Sequence, residues 1–229
     1  MKTDSFHRLA LAAALACVVT STSLQATLVL NGSFENETGL PLGQFEAGSG
    51  LCYIAPDTAV DNWTVINTHN FYLRPTTVFN GDYSIVPKDG ASYVSLYANN
   101  DGLGAIYQPI SLTAGVKYTV SFWEVNRSAQ GSVTGIDAAF FSSAALSTAV
   151  SDVAWANNSN YGVWQQTTFD YTPATSGTAY LGFRTHSGAP WGSNLDNVSV
   201  TFSAIPEPGS VLALGCLLGS GIVLRRRIR

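Results

Sequence analysis

Between residues 116 and 125 the side chains alternate, with Tyr118, Val120 and Phe122 on one side and Thr119, Ser121 and Trp123 on the other. A two-residue period belongs to a pleated strand with one buried face, and Ala114-Gly115 supplies the turn before it. Residues 91–97, 105–112, 135–141, 163–171, 178–185 and 194–202 read as further strands, with Pro173 and Gly177 marking one of the turns between them. Residues 27–30 read as a short strand ended by Asn31-Gly32, and the glycine-rich stretch 39–56 reads as a loop. Short strands at this spacing, broken by Gly and Pro, predict an all-β sandwich or barrel.

Charged residues make up only 11% of the 229-residue chain. That suits strands and turns better than surface helices, which draw on Glu, Lys and Arg. Between residues 27 and 205 five basic residues (Arg74, Lys88, Lys117, Arg127, Arg184) face thirteen acidic ones, a net charge of −8. So acidic a body lacks the positive field that nucleic acid requires. A neutral sugar, a calcium ion or a protein is compatible with it. Cys52 is the one cysteine outside the apolar end segments, so the body has no disulfide of its own; it reads as an idle thiol rather than a nucleophile.

Both ends read as processing signals. Residues 1–26 have the form of a signal peptide for the Sec export machinery: Lys2, His7 and Arg8, an apolar run to Val19, then polar residues and a small Ala26. Residues 204–229 contain Pro206-Glu207-Pro208, an apolar stretch from Gly209 to Leu224, and Arg225, Arg226, Arg227 and Arg229. As a helix that stretch is about 24 Å long, against a hydrocarbon core of about 30 Å; snorkelling arginines and local thinning cover the difference. The arginines favour a cytoplasmic terminus, leaving the body outside. This tail resembles the PEP-CTERM sorting domain. The resemblance implies recognition by an exosortase, which would cut near Pro206-Glu207-Pro208 and pass the body to the cell surface or matrix. The alternative is an ordinary, uncut membrane anchor.

Three segments of the body (27–203) carry a second resemblance: Leu30-Asn31-Gly32-Ser33-Phe34-Glu35, the run from Gln108 to Trp123, and Leu195-Asp196-Asn197-Val198-Ser199-Val200. They are similar to carbohydrate-binding modules of the galactose-binding-like type, which implies a jelly-roll β-sandwich. The resemblance also implies a structural calcium linking the first and last strands, held here by Glu35 and Asp196 with help from Asp89. Calcium takes oxygen ligands, carbonyls among them. The alternative is that these carboxylates only accept backbone N–H bonds.

Sugars stack their apolar faces on aromatic rings and hydrogen-bond through their hydroxyls. Trp155, Tyr161 and Trp191, with Arg74 as polar company, are the candidate sugar contacts; Trp63 and Tyr72 also fall in apparent loops. The stretch from Trp155 to Tyr161, with its run of Asn, reads as an exposed loop. The chain has no His-Glu-x-x-His, Gly-x-Ser-x-Gly or phosphate-binding glycine loop, and His69 and His186 read as isolated. The expectation is a non-enzymatic exported surface or matrix protein that binds extracellular polysaccharide. The alternatives are a structural coat protein acting by protein contact and, more weakly, a glycoside hydrolase.

Overall fold

Where apolar residues alternate, strands form, and their buried faces meet in two sheets. A computed structural model describes residues 27–36, 51–54, 60–66, 70–73, 85–96, 104–126, 135–186 and 193–203. The expected leader (1–26), the sorting segment (204–229) with Pro206, Glu207, Pro208 and its arginines, and the candidates Arg74 and Trp191 lie outside the described residues.

Eleven strands fall among the described residues: β1 (Leu51–Ile54), β2 (Thr64–Ile66), β3 (Asn70–Leu73), β4 (Tyr93–Ser95), β5 (Ala105–Leu112), β6 (Tyr118–Asn126), β7 (Gly135–Phe141), β8 (Ala154–Asn157), β9 (Gln165–Tyr171), β10 (Gly177–Thr185) and β11 (Ser193–Phe202). They form a six-stranded sheet, β1-β3-β4-β11-β6-β9, and a five-stranded sheet, β2-β5-β10-β7-β8. All pairings between them are antiparallel. The expected alternation holds in β6, where Tyr118, Val120 and Phe122 are buried and Thr119, Ser121 and Trp123 only partly so.

Two expectations are corrected. Residues 27–30 do not form a strand: Leu28 N–H donates to the Val200 carbonyl at 3.0 Å, but the chain then bends and buries Val29. The stretch read as a loop, 39–56, contains β1, which pairs with β3 in the register Cys52↔Tyr72.

The core lies between the sheets. Phe122 of β6 and Phe183 of β10 meet edge to face at 5.1 Å. Trp63 joins them, 6.0 Å from Phe183 and 5.3 Å from Phe34, and its indole N–H donates to the Asn31 carbonyl at 2.9 Å. Trp63 is therefore core rather than sugar platform. Gln108 is buried yet satisfied: its amide donates to the carbonyls of Leu30 and Asn62 and accepts from Leu30 N–H. It staples the opening segment to β5 at little net cost.

The opening and closing signature segments pack on each other. Asn31 has φ 52, a conformation Asn tolerates, and its side chain bonds Asn36 and Asp61. Gly32 follows, and a Cβ there would sit 2.0 Å from the Val198 carbonyl oxygen. Val198 N–H donates to the Gly32 carbonyl at 2.8 Å, within the β11 irregularity between Asp196 and Ser199. Because the obstacle is backbone, Gly32→Ala should lower unfolding free energy by about 2 kcal/mol, the scale of overpacking. Urea denaturation of parent and variant measures the difference.

Candidate functional site

On the five-stranded sheet, Ile106, Ile136, Ala138, Phe140, Ala156, Leu181 and Phe183 belong to the core. Their alternate neighbours point outward. The ladder sets Arg184 opposite Asp137 and Asp137 opposite Trp155, so three adjacent strands present a guanidinium, a carboxylate and an indole in one row.

The row is closed by His186, just beyond β10. The Trp155 and His186 rings are stacked, 4.7 Å between centres and 20° between planes. His186 Nδ1 lies 2.7 Å from Asp137 Oδ1. Arg184 Nη2 reaches Asp137 Oδ2 at 3.5 Å, and Nη1 donates to the Leu146 carbonyl at 3.2 Å. The guanidinium also lies over the Phe141 ring, 5.4 Å from its centre. Trp155 is 52% exposed while Asp137 is buried. Gly135 makes the arrangement fit, because a Cβ there would fall 2.6 Å from the Trp155 indole nitrogen. The result is a planar aromatic surface braced from behind, bordered by hydrogen-bonding groups whose charges offset one another.

The rest of this outer face is covered. After β7 the chain turns back over the sheet, held by Ser142 N–H to Thr148 C=O (3.0 Å), Leu146 N–H to Ser143 C=O (3.1 Å) and Val150 N–H to Phe140 C=O (2.8 Å). This strap presses Leu146 onto Gly182, whose Cβ would lie 2.7 Å from Leu146 Cδ2. With Ala105, Ala139 and Phe141 it makes a small second apolar cluster outside the main core.

At the same end, between the sheets, Glu124 is buried and accepts the Ser193 hydroxyl at 2.7 Å. Burial pushes its carboxyl up to about 8, with the Ser193 bond pulling the other way.

Of the sequence candidates, Trp155 stands at the outer end of this row, on edge strand β8 rather than on a loop. Tyr161 is 40% exposed, and its backbone bridges Asn126 at the end of β6, in the other sheet. The asparagine run is structural at Asn158, which is buried and donates to the carbonyls of Glu124 and Val163 while accepting from Asn160 N–H.

Glu35, Asp196 and Asp89 converge on one segment. Glu35 Oε1 accepts from Ala91 and Ser92 N–H at 2.9 Å each. Asp196 Oδ2 accepts from Lys88 (2.8 Å) and Asp89 (3.0 Å), and its Oδ1 accepts from Asn197 (2.6 Å). Burial pushes Asp196 up to about 7 against the pull of those three N–H donors, and the Asp89 charge adds to the rise. The two carboxylates thus clamp residues 88–92 onto the six-stranded sheet. Among the described residues no three His, Cys, Asp or Glu side chains form a cluster able to hold a metal.

His186, Asp137 and Arg184 were not candidates. The signal that could have found two of them is charge inside an alternating strand: Asp137 in Gly-Ile-Asp-Ala-Ala and Arg184 in Leu-Gly-Phe-Arg-Thr both occupy outward positions.

No family model matches the chain, and no match is found among curated proteins. Among solved structures it is similar to TmCBM61 in complex with β-1,4-galactotriose, with 13% identity, TM-score 0.48, and coverage of 78% of this chain and 99% of that one. It is also similar to a family 16 carbohydrate-binding module (14%, TM-score 0.42, 76% and 99% covered). A third similar structure is the K3 cleaved adhesin domain of Lys-gingipain from Porphyromonas gingivalis (18%, TM-score 0.43, 62% and 92% covered).

Proposed function

We propose that this is a carbohydrate-binding domain of an exported surface or matrix protein, and that Trp155 is its sugar platform. The observation carrying this reading is the half-exposed indole braced by His186 and flanked by Asp137 and Arg184. A sugar ring needs one apolar plane to stack on and polar groups at its rim, and this row offers both. Nothing in the row requires a reaction, so the reading is binding and not catalysis.

The export part of the proposal rests on the two end segments: leader 1–26, and the sorting segment 204–229 read as a transient membrane anchor and exosortase substrate. The fold accommodates it. Leu28 pairs with Val200 and Ser203 with Lys117, so the domain begins and ends together beside the start of β6. Trp155 lies across from Asp137 near the start of β7, toward the far end of the sandwich. A glycan array and a pull-down with the producing cell's own exopolysaccharide test the reading; blanks in both contradict it.

Calcium belongs to the same proposal. An ion here would have to take the carboxylates of Glu35, Asp196 and Asp89 in place of the backbone N–H bonds that Glu35 and Asp196 now accept. Two millimolar calcium is expected to raise the melting temperature of the protein by a few degrees over the same sample in chelator, following ligand linkage. An unmoved melting temperature removes the ion from the account.

A further inference from the structure

The strap over the five-stranded sheet has a consequence for what the Trp155 row can hold. We infer that the site takes a single sugar ring or a short chain end, not the interior of a polysaccharide laid across the sheet. The inference rests on the sugar-binding reading above and specifies its ligand class.

A sheet of five strands whose outer face was bare would offer a groove running from Trp155 on β8 toward β2, wide enough for several sugar units. Here the next positions along that path are filled. Leu146 is 3% exposed and lies against Gly182 and Phe141, which is itself 1% exposed. Ala105, in the Arg184 row on β5, is buried in the same cluster. The Leu146 carbonyl holds Arg184 at 3.2 Å, so strap and sugar row share a hydrogen bond. Past Arg184, then, a sugar chain crossing the sheet meets packed hydrocarbon.

Backbone conformation points the same way. Leu146 has φ 50, in the left-handed region where glycine is the comfortable residue. A leucine held there is present for its side chain, which fills the space above Gly182. On the open side, Trp155 on β8 and Tyr161, which lies between β8 and β9 and bridges to Asn126, are the exposed aromatic residues among the described ones. Among the described residues, Trp155 is the one exposed aromatic platform on this sheet.

The test is a chain-length series on the full-length protein, using mono-, di-, tri- and hexasaccharides of β-1,4-glucan, β-1,4-galactan and β-1,4-xylan in calorimetric titrations. The inference predicts that affinity levels off by the disaccharide and changes less than twofold from there to the hexasaccharide. A tenfold or larger gain between disaccharide and hexasaccharide overturns it while leaving sugar binding intact. Absence of binding to every member contradicts the sugar reading itself, and the inference falls with it. Leu146→Gly, which suits the local φ and clears the sheet, is expected to restore chain-length dependence. The parent series decides the matter even where that variant fails to fold.

Discussion

Trp155→Ala is expected to weaken glycan binding about 30-fold, roughly 2 kcal/mol, the effect of truncating a central aromatic anchor in a binding site. Its thermal stability should change little. Half of the ring is in solvent, so the fold loses only the covered half and the contact with His186. Titration calorimetry and a melting curve on the same two proteins separate these effects. Loss of binding together with loss of folding would mean that the indole is structural. The same substitution logic applied to Tyr161, whose backbone is tied to the six-stranded sheet, predicts an affinity change below threefold.

The second large effect is on stability, through Glu124. Its carboxyl sits at about 8 in the folded protein against 4.5 when unfolded. Between those values the folded state keeps a proton that the unfolded state releases, so stability falls as pH rises. The stabilising contribution is fully present below pH 4.5 and is lost as pH climbs through 8. At 1.36 kcal/mol per pKa unit the swing is of the order of 5 kcal/mol. Asp196, raised from 3.8 to about 7, slopes in the same direction over a lower range. The two are separable, because Glu124→Gln keeps an acceptor for Ser193 and should flatten the curve between pH 7 and 8.5 in particular. Urea denaturation of parent and variant across pH 5 to 8.5 measures it. A parent protein more stable at pH 8.5 than at pH 5 contradicts the assignment.

How much of this could be read from the chain depended on element length. β5, β6, β7, β9, β10 and β11 run seven residues or more, long enough for a two-residue period to show, and each fell within a residue or two of its expected span. β1, β2, β3, β4 and β8 are three or four residues long, and of these only β4 falls inside an expected strand, 91–97. They take their structure from the neighbour they pair with, and a segment that short carries no period. Without a period to show, residues 51–54 and the Trp155 segment carry only the composition of loops in the sequence, although both are strands.

The candidate site divides along the same line. Trp155 was found because a tryptophan followed by asparagines signals exposure. His186, Asp137 and Arg184 were missed because their meeting is a matter of register: Arg184 faces Asp137 across β10 and β7, and Asp137 faces Trp155 across β7 and β8. Residues 18 to 49 positions apart cannot be seen to share a row until the ladder is known. Trp63 failed in the opposite direction. Its surroundings look like a turn, yet its indole N–H finds the Asn31 carbonyl and its ring fills the space beside Phe34 and Phe183. By contrast, the Asn31-Gly32 and Asp196-Asn197 segments were recognised as a pair, and they do touch, because Gly32 must admit the Val198 carbonyl.

Hydroxyl-radical footprinting of the full chain, with and without the glycan that binds most tightly on the array, locates the contact directly. Slower oxidation of Trp155 in the bound sample, with Tyr161 unchanged, is the predicted pattern. Trp155 oxidised at the same rate in both samples, while another part of the surface becomes protected, would move the binding site off the five-stranded sheet.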